Sequence, residues 1–393
     1  MSINKSRFST FLVLACVLTL FQYIGIFIRI PIVPLFAKSI GATTFEIGLI
    51  ASLFMVMASL LAIPYGHLSD KFGRKLLVLS GLGISSLTSF LLFFVKTPKQ
   101  LIIVYTLAGF GASAFAPAIA SFVGDITPGE RMGRAFGWYT SSMQIGMASG
   151  PAIGGIIAGL TNLTVPFLFS GTIIAIALIL AIIGFPSFSE QSNLSSNIRE
   201  TFFDLSKNAT VLACWIGTFC IAFTFGIFAP FFPLYAASIG LSVPVIGLIF
   251  STQSFFNAIA RIPAGYFSDK LGKRDPFIIG GMFLLSLCII LLVSTESSYI
   301  LLAIAAFLGL NMGICFMAVS TSIAEAVTSD KRGVAMGGYS TFLYGGFAIS
   351  AVIGGKIISI YNYWLGFFLA GLASFFGAII FYLITQNRER RGD

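Results

Sequence analysis

The sequence predicts an all-helical membrane protein with twelve transmembrane helices arranged as two pseudo-symmetric six-helix bundles. Three observations predict this fold class. First, 57% of the 393 residues are hydrophobic and only 9% are charged, whereas a soluble domain carries about 25% charged residues. Second, apolar segments long enough to cross a bilayer recur along the whole chain. Third, the second half repeats sequence from the first. The composition excludes a soluble enzyme, a soluble nucleic-acid-binding protein and a disordered chain.

Each transmembrane helix needs about 20 apolar residues, and twelve segments meet this requirement. In the first half the predicted spans are 8–37, 44–66, 76–95, 100–124, 134–160 and 165–186. In the second half they are 208–238, 243–267, 276–294, 299–324, 334–360 and 364–386. A polar stretch separates the two sets. We therefore expect an N-terminal bundle over residues 1–186, a cytoplasmic linker over 187–207 and a C-terminal bundle over 208–393.

The positions of the cations predict the orientation. If both termini are cytoplasmic, the inner segments hold 17 of the 23 lysines and arginines, in agreement with the retention of positive residues on that side. The net charge of +9 is therefore attributed to topology and not to a nucleic-acid partner. We expect a monomer that spans the cell (plasma or inner) membrane many times, contacts the lipid bilayer and binds a small-molecule substrate.

An internal repeat links the two halves. Residues 34–74 align without gaps on residues 233–273, with 18 identities in 41 positions. Residues 131–139 likewise match 331–339 at an offset of 200. Two parallel repeats of six helices are typical of transporters whose halves move around a central site.

Prolines occupy matching positions in the first and seventh spans. Pro31 and Pro34 correspond to Pro230 and Pro233 at the same offset of 199. Because proline removes a backbone hydrogen bond, each pair predicts a bend near the outer end of its span. The bend serves either an extracellular gate or helix packing alone.

The loop after the second span reads GHLSDKFGRK over residues 66–75. Gly66 permits close helix approach and Gly73 a tight turn. This pattern closely resembles the signature G-x-L-x-D-[RK]-x-G-[RK]-[RK] of the major facilitator superfamily, and the resemblance covers essentially the whole chain. It implies the fold of that superfamily, with a cavity near the bilayer midplane.

The same resemblance implies a conformational latch in which this loop pairs with an acidic residue at the end of the fourth span. The second half carries matching residues, including Glu325. The residues expected in the latch are Gly66, Asp70, Gly73, Arg74, Lys75, Asp125, Asp269, Lys273 and Arg274.

The fifth span contains GMASGPAIGG, with fixed points at Gly146, Gly150, Pro151, Gly154 and Gly155. Glycines at four-residue spacing let another helix approach closely, and proline bends the helix. The element resembles the G-x-x-x-G-P-x-x-G-G sequence of the twelve-span drug/proton antiporters, which favours export. The alternative is ordinary small-residue packing, but the eleventh span has alanine in place of the proline.

Ionisable side chains within spans are functional candidates by default. None of the fourteen acidic residues lies in the middle of a predicted span. Tyr105 also stands where many antiporters of this family carry an arginine, four residues before Gly109. The sequence leaves open whether coupling uses Asp125, Glu46 or tyrosines, or whether one solute is exchanged for another.

Arg29 lies deep in the outer half of the first span, and Phe228 replaces it in the second repeat. An arginine at this depth stays charged and needs a carboxylate, a carbonyl, water or an anionic ligand. It either contacts a polar or anionic group of the substrate, or it reaches the outer surface or pairs with Glu46. Arg261, in the eighth span, is expected to extend toward the cytoplasmic interface near Asp269.

Further cavity candidates are polar or aromatic side chains on spans expected to line the centre. They are Gln22, Tyr23, Arg29, Tyr105, Gln144, Gln253, Asn257, Asn311 and Tyr344.

The resemblance implies a secondary active transporter that works by alternating access. The preferred hypothesis is a proton-coupled exporter of small amphipathic or lipophilic compounds. The alternative is a facilitator or exchanger of an organic anion, metabolite or sugar with Arg29 in its cavity. The sequence contains no catalytic constellation or nucleotide-binding loop, and its five cysteines and one histidine form no metal-ligand pattern. We therefore expect no enzyme activity, no metal and no cofactor, with a proton gradient as the energy source.

Overall fold

The computed structural model describes residues 5–128, 131–186, 198–328 and 331–391, but not the side chains of residues 5–8, 62–63, 66–67, 70–71, 198–199 and 387–391. Every regular element in these ranges is a helix. The first seven are α1 (Lys5–Arg29), α2 (Ile32–Ser39), α3 (Thr44–Phe72), α4 (Arg74–Phe94), α5 (Pro98–Ile126), α6 (Met132–Leu160) and α7 (Val165–Gly184). The next seven are α8 (Ile198–Lys207), α9 (Ala209–Ser238), α10 (Val243–Leu271), α11 (Asp275–Leu291), α12 (Ser298–Glu325), α13 (Arg332–Ile360) and α14 (Tyr363–Arg391).

Each of the twelve predicted spans coincides with helix. Helices α1 and α2 together form the first span, Ser9–Ser39. Within the described residues, eleven segments are long and apolar enough to cross a membrane, and α11 is a shorter apolar helix at the ninth predicted position. The predicted all-helical fold class is confirmed.

The first span is interrupted at Pro31, whereas its repeat partner is not. The N–H of Ile30 donates to the carbonyl oxygen of Phe27 at 3.3 Å, a tight turn that ends α1. In the second repeat, α9 continues through Pro230 and Pro233 without a break. The same proline pair therefore ends one helix and is accommodated inside the other.

Part of the predicted linker is helical. Residues 187–197 lie outside the description, and the remainder of the linker forms α8. Asn208 caps the following helix by accepting a hydrogen bond from the N–H of Thr210 at 3.0 Å. On α8, Phe202 stacks on Trp215 of α9, with ring centroids 4.8 Å apart. This ring contact joins α8 to α9.

The chain forms two compact units. The first unit comprises Met1–Ala42, Val56–Asn193 and Leu241–Ser251, and the second comprises Thr43–Met55, Leu194–Gly240 and Thr252–Asp393. The N-terminal part of α3 therefore packs in the second unit, and the N-terminal part of α10 packs in the first. The predicted domain boundaries at the linker stay a prediction.

The first unit contains buried polar contacts between its helices. Gln22 of α1 donates to Ser85 Oγ of α4 at 2.9 Å. Ser170 Oγ of α7 donates to the carbonyl oxygen of Gly25 at 2.7 Å. Such bonds join helices where no water is present to compete.

Two of these polar positions are apolar in the second unit. Ile221 and Ala370 occupy the repeat positions of Gln22 and Ser170, and both are buried. The ring of Phe228 stacks on that of Phe232 at 5.2 Å. The two repeats thus differ in chemistry at these matching positions.

Candidate functional site

The first charge cluster is centred on Arg74, the first residue of α4. Its Nε lies 3.0 Å from Oδ2 of Asp125 at the end of α5. Its Nη1 donates to Ser69 Oγ at 3.1 Å, and Ser69 is only 1% exposed. Gly73 has a φ of +91°, which glycine adopts without strain and which lets α4 begin directly after α3.

Three further residues were predicted in this cluster, namely Gly66, Asp70 and Lys75. Gly66 and Asp70 lie on α3, but their side chains fall outside the description. Lys75 is partly buried at the start of α4. The roles expected for these residues stay predictions.

The second charge cluster is centred on Arg274, which precedes α11. Its Nη2 donates to Glu325 at 2.9 Å and also to Asp269. Its Nη1 donates to the fully buried Ser268. The hydrogen bonds that Arg274 donates to Glu325 and Asp269 raise the pKa of Arg274 above its ordinary value, because both carboxylates stabilise the charged guanidinium.

The register of the second cluster differs from the gap-free alignment. That alignment places Lys273 opposite Arg74, but in the structure it is Arg274 that pairs with the carboxylates. Helix α4 begins one residue after its glycine, whereas α11 begins three residues after Gly272. Lys273 lines a pocket of about 290 Å³ that Arg274 and Glu325 line as well.

Ser69 and Ser268 were not among the predicted residues. Each is buried and accepts a hydrogen bond from the arginine of its own cluster. The available signal was the Ser-Asp pair present in both copies of the repeat. Each hydroxyl restricts its guanidinium, so that the remaining N–H groups face the acid at the end of α5 or α12.

Three glycines of α6 face α1 within the first unit. A Cβ added at Gly146 would lie 2.8 Å from Tyr23 Cβ, and one added at Gly154 would lie 2.4 Å from the carbonyl oxygen of Ile28. A Cβ added at Gly150 would lie 2.7 Å from Phe27 Cβ, so this glycine is also close to α1. These three glycines allow the two helices to pack backbone to backbone.

The other members of the antiporter-like element face α10. A Cβ at Gly155 would lie 2.9 Å from the carbonyl oxygen of Val243, and one at Gly247 would lie 2.4 Å from that of Pro151. The N–H of Ala152 donates to Ser251 Oγ at 2.8 Å. Ser251 was not predicted, and its partner is a backbone group next to the proline.

A related contact joins α3 to α13 in the second unit. A Cβ at Gly48 would lie 2.2 Å from the carbonyl oxygen of Ala351, and one at Gly355 would lie 3.1 Å from that of Thr44. These four residues match Gly247, Pro151, Gly155 and Val243 in the repeat. The contact is therefore present in both copies, with alanine in place of proline in this one.

Arg29 ends α1 and is only 1% exposed. Within the described residues, its Nε and Nη1 have no hydrogen-bond partner, and it interacts electrostatically with Tyr105 of α5. The carboxylate of Glu46 instead accepts hydrogen bonds from the N–H and hydroxyl of Thr43. The structure thus shows neither extension of Arg29 to the outer surface nor pairing of Arg29 with Glu46.

The other cavity candidates in the first unit lie on α1 and α6. Gln22 is fully buried against α4, and its Oε1 has no partner in the described structure. Tyr23 is partly buried, with its ring 6.2 Å from that of Phe27. Gln144 also has a buried Oε1 that accepts no described hydrogen bond.

The candidates in the second unit lie on α10, α12 and α13. Gln253 donates to the sulfur of Met312 at 3.3 Å, and Asn311 donates to the carbonyl oxygen of Phe307 in its own helix. Tyr344 is partly buried on α13. The remaining candidate, Asn257, accepts hydrogen bonds from Arg261 through its Oδ1.

Arg261 extends in the direction opposite to the one expected. Its Nε and Nη2 lie 3.2 and 3.1 Å from Oδ1 of Asn257, one turn toward the start of α10. It also interacts electrostatically with Tyr339. An amide oxygen at helical spacing therefore satisfies this guanidinium, which does not extend toward Asp269.

Comparisons with known proteins agree with this architecture. A profile of the Major Facilitator Superfamily matches residues 15–212 and 214–393. An uncharacterised MFS-type transporter of Methanocaldococcus jannaschii is 27% identical over 343 residues, covering 86% of this chain and 88% of that protein. The quinolone resistance protein NorA of Staphylococcus aureus is 24% identical over 376 residues, covering 94% and 95%.

Two solved structures share the fold. A bacterial homologue of the human lysosomal transporter Spinster, in an inward-facing and occupied conformation, superimposes with a TM-score of 0.84 at 14% identity, covering 98% of both chains. The nucleoside transporter NupG gives a TM-score of 0.82 at 14% identity, covering 95% of this chain and 99% of its own. The chain therefore belongs to the Major Facilitator Superfamily, a family of multi-pass membrane transporters for small molecules.

Proposed function

We propose that this transporter is a secondary active exporter of small amphipathic or lipophilic compounds. The observation that carries the proposal is the antiporter-like element of α6, whose glycines pack on α1 and on α10 while its proline lies beside Ser251. The similarity to the quinolone resistance protein NorA over most of the chain supports the same direction of transport.

Alternating access requires contacts that form in one state and separate in the other. Two sets of contacts suit this role. The charge clusters lie at the predicted cytoplasmic ends of the repeats, and the contacts of α3 with α13 and α10 with α6 lie at the opposite ends of α3 and α10. In this proposal, the two sets open and close in alternation as the repeats move.

A proton gradient is the proposed energy source, and Asp125 is the proposed coupling group. Its carboxylate binds Arg74 at 3.0 Å while remaining 34% exposed, so water can reach it. Protonation would remove the charge that holds Arg74 and would weaken the first cluster. Glu46 suits this role less well, because Thr43 already occupies its carboxylate.

The test uses everted vesicles with a panel of fluorescent lipophilic cations and amphipathic anions. A pH gradient is imposed and then collapsed. We expect dye movement that follows the gradient in the natural protein and loses that dependence in Asp125→Asn. Glu296→Gln, which changes an exposed loop carboxylate, is the matched control. Dye movement that ignores the gradient in the natural protein would contradict proton-coupled export.

A second candidate function is facilitated transport or exchange of an organic anion, metabolite or sugar. The burial of Arg29 without a carboxylate partner in the described structure favours it. Competition by anions, with loss of transport in Arg29→Ala, would support this function over the first.

A further inference from the structure

We propose that Arg29 and Tyr105 form a binding site for one small anionic group inside the first unit. The group is singly charged, and its source is either a free monovalent anion or the carboxylate of a substrate. The proposal deepens the second candidate function. If the anion is the carboxylate of a substrate, the proposal rests on that transport function. The existence of the site does not depend on transport.

The first argument is the cost of burying the charge. A guanidinium keeps its proton at every physiological pH. Burial of a charge without a partner carries a large desolvation penalty. Arg29 is 1% exposed, and neither Nε nor Nη1 has a hydrogen-bond acceptor in the described part of the chain. An acceptor, preferably an anionic one, is therefore required at these two atoms.

No carboxylate that the structure describes in the first unit is placed to supply it. Asp125 follows Tyr105 by twenty residues on the same helix, which is about 30 Å at 1.5 Å per residue, and it already binds Arg74. The unit's other acidic residues, Asp70, Glu130 and Glu190, lie at or beyond helix ends that are predicted to be cytoplasmic. A carboxylate from within this unit is therefore an implausible partner.

The surroundings of Arg29 suit an anion. Arg29 offers two N–H groups without a partner in the described residues, and Tyr105 interacts with it electrostatically. Helix α2 begins three residues after Arg29, and its N-cap, Pro31, makes no side-chain capping bond. A helix N-terminus carries a partial positive charge that favours anions. The break in the first span thus places a helix N-terminus three residues after Arg29 in the sequence.

The second repeat lacks these features. Phe228 replaces Arg29, and α9 continues where the first span is broken. Its nearest analogue, Arg261, already donates to Asn257 through Nε and Nη2. This arginine is therefore a control, a partly buried cation with two of its nitrogens already hydrogen-bonded.

The experiment measures binding to the purified full-length protein in nanodiscs. Thermal unfolding is followed while sodium bromide or sodium benzoate is added, with ionic strength held constant by sodium sulfate. An anion that binds the folded state raises its Tm in a saturable way. The variants are Arg29→Gln, Arg29→Lys, Tyr105→Phe and the control Arg261→Gln.

We expect saturable stabilisation of the natural protein and of Arg261→Gln. Loss of a charged hydrogen-bond donor should weaken binding about tenfold to hundredfold in Arg29→Gln, and less in Tyr105→Phe. A response to bromide identifies a free monovalent anion as the ligand. A response to benzoate alone identifies the carboxylate of a substrate. If Arg29→Gln does not fold, Arg29→Lys and Tyr105→Phe provide the comparison.

Two results would overturn the proposal. One is the absence of any saturable response in the natural protein. The other is an equal response in every variant at Arg29 and Tyr105, which would assign the effect to other surfaces. Because the assay requires no transport, failure of the vesicle experiment and failure of this one are distinguishable.

Discussion

The contact of α10 with α6 and its repeat counterpart, α3 with α13, have the same glycine geometry but different backbone chemistry. In both, a helix carbonyl lies within 2.4 Å of the position that a glycine Cβ would occupy. Only in the first is that carbonyl from a proline, and there the next N–H donates across to Ser251. The comparison indicates that close approach is a property of the repeat, whereas the interhelix hydrogen bond from Ala152 to Ser251 is described in one copy only.

The largest expected effect comes from exchanging the proline between the copies. Ala351→Pro should destabilise the protein by about 3 kcal/mol, the usual cost of proline inside a helix. Pro151→Ala should change stability by less than about 1 kcal/mol, since alanine suits a helix and Ser251 can keep its bond. Thermal unfolding in nanodiscs measures both. Equal destabilisation by the two substitutions would mean that the copies do not differ in this way.

The next effect tests what the copies share. Gly48→Ala and Gly247→Ala should each destabilise the contact by about 1–3 kcal/mol, the range for overpacked sites, and both should slow dye transport in vesicles. Gly137→Ala is the control, because no atom outside its local backbone lies within 4 Å of its Cβ position. That control should be neutral or slightly stabilising. Unchanged transport in both test variants would argue against a tight contact.

A smaller difference in stability is expected between substitutions at the matching serines of the two copies, Ser251 and Ser52. Ser251→Ala removes the acceptor for Ala152 N–H and should cost about 1 kcal/mol. Ser52→Ala changes the matching buried residue of α3 and should cost less. Unfolding of the two variants and of the double variant Ser251→Ala with Pro151→Ala measures the coupling. A larger loss for Ser52→Ala would reverse the assignment.

The smallest effect extends the comparison to the charge clusters. Arg274→Gln should destabilise the protein by about 0.5–1 kcal/mol, because its acids are exposed and screened. Lys273→Gln should be close to neutral. The difference in unfolding free energy between the two variants should become smaller at high salt. If Lys273→Gln proves the more damaging, the gap-free alignment describes this cluster better than the structure does.

The fold was predictable because hydropathy reports directly on lipid exposure. All twelve predicted spans coincide with helix, since an apolar run of this length has few other stable conformations in a bilayer. Positions within the spans were less predictable. The P-x-x-P pairs are the same in both repeats, yet only the first ends a helix, so proline alone does not determine the outcome.

The candidate sites were predictable where the repeat carried the signal and not where one residue shifted the register. Arg74 and Asp125 were predicted in the same cluster, and the structure places Arg74 Nε 3.0 Å from Asp125 Oδ2. The two residues between Gly272 and α11 brought Arg274 into the position that the alignment gave to Lys273. The bond of Ala152 to Ser251 depends on which helices meet, and the direction of Arg261 depends on Asn257 one turn away. The first is not encoded in the local sequence pattern, whereas the second follows a four-residue helical spacing that the sequence contains.

The stacking of Phe202 on Trp215 gives the protein an internal optical probe. Trp215 is fully buried between Phe202 and Phe342, and its indole N–H donates to the carbonyl oxygen of Ala335 at 3.0 Å. The chain's other two tryptophans, Trp138 and Trp364, are 59% and 49% exposed. Replacing both with phenylalanine leaves one fluorophore whose emission wavelength and lifetime follow the attachment of α8 to the second unit. Any change in the contact between Phe202 and Trp215 would then be reported by the light emitted from a single ring.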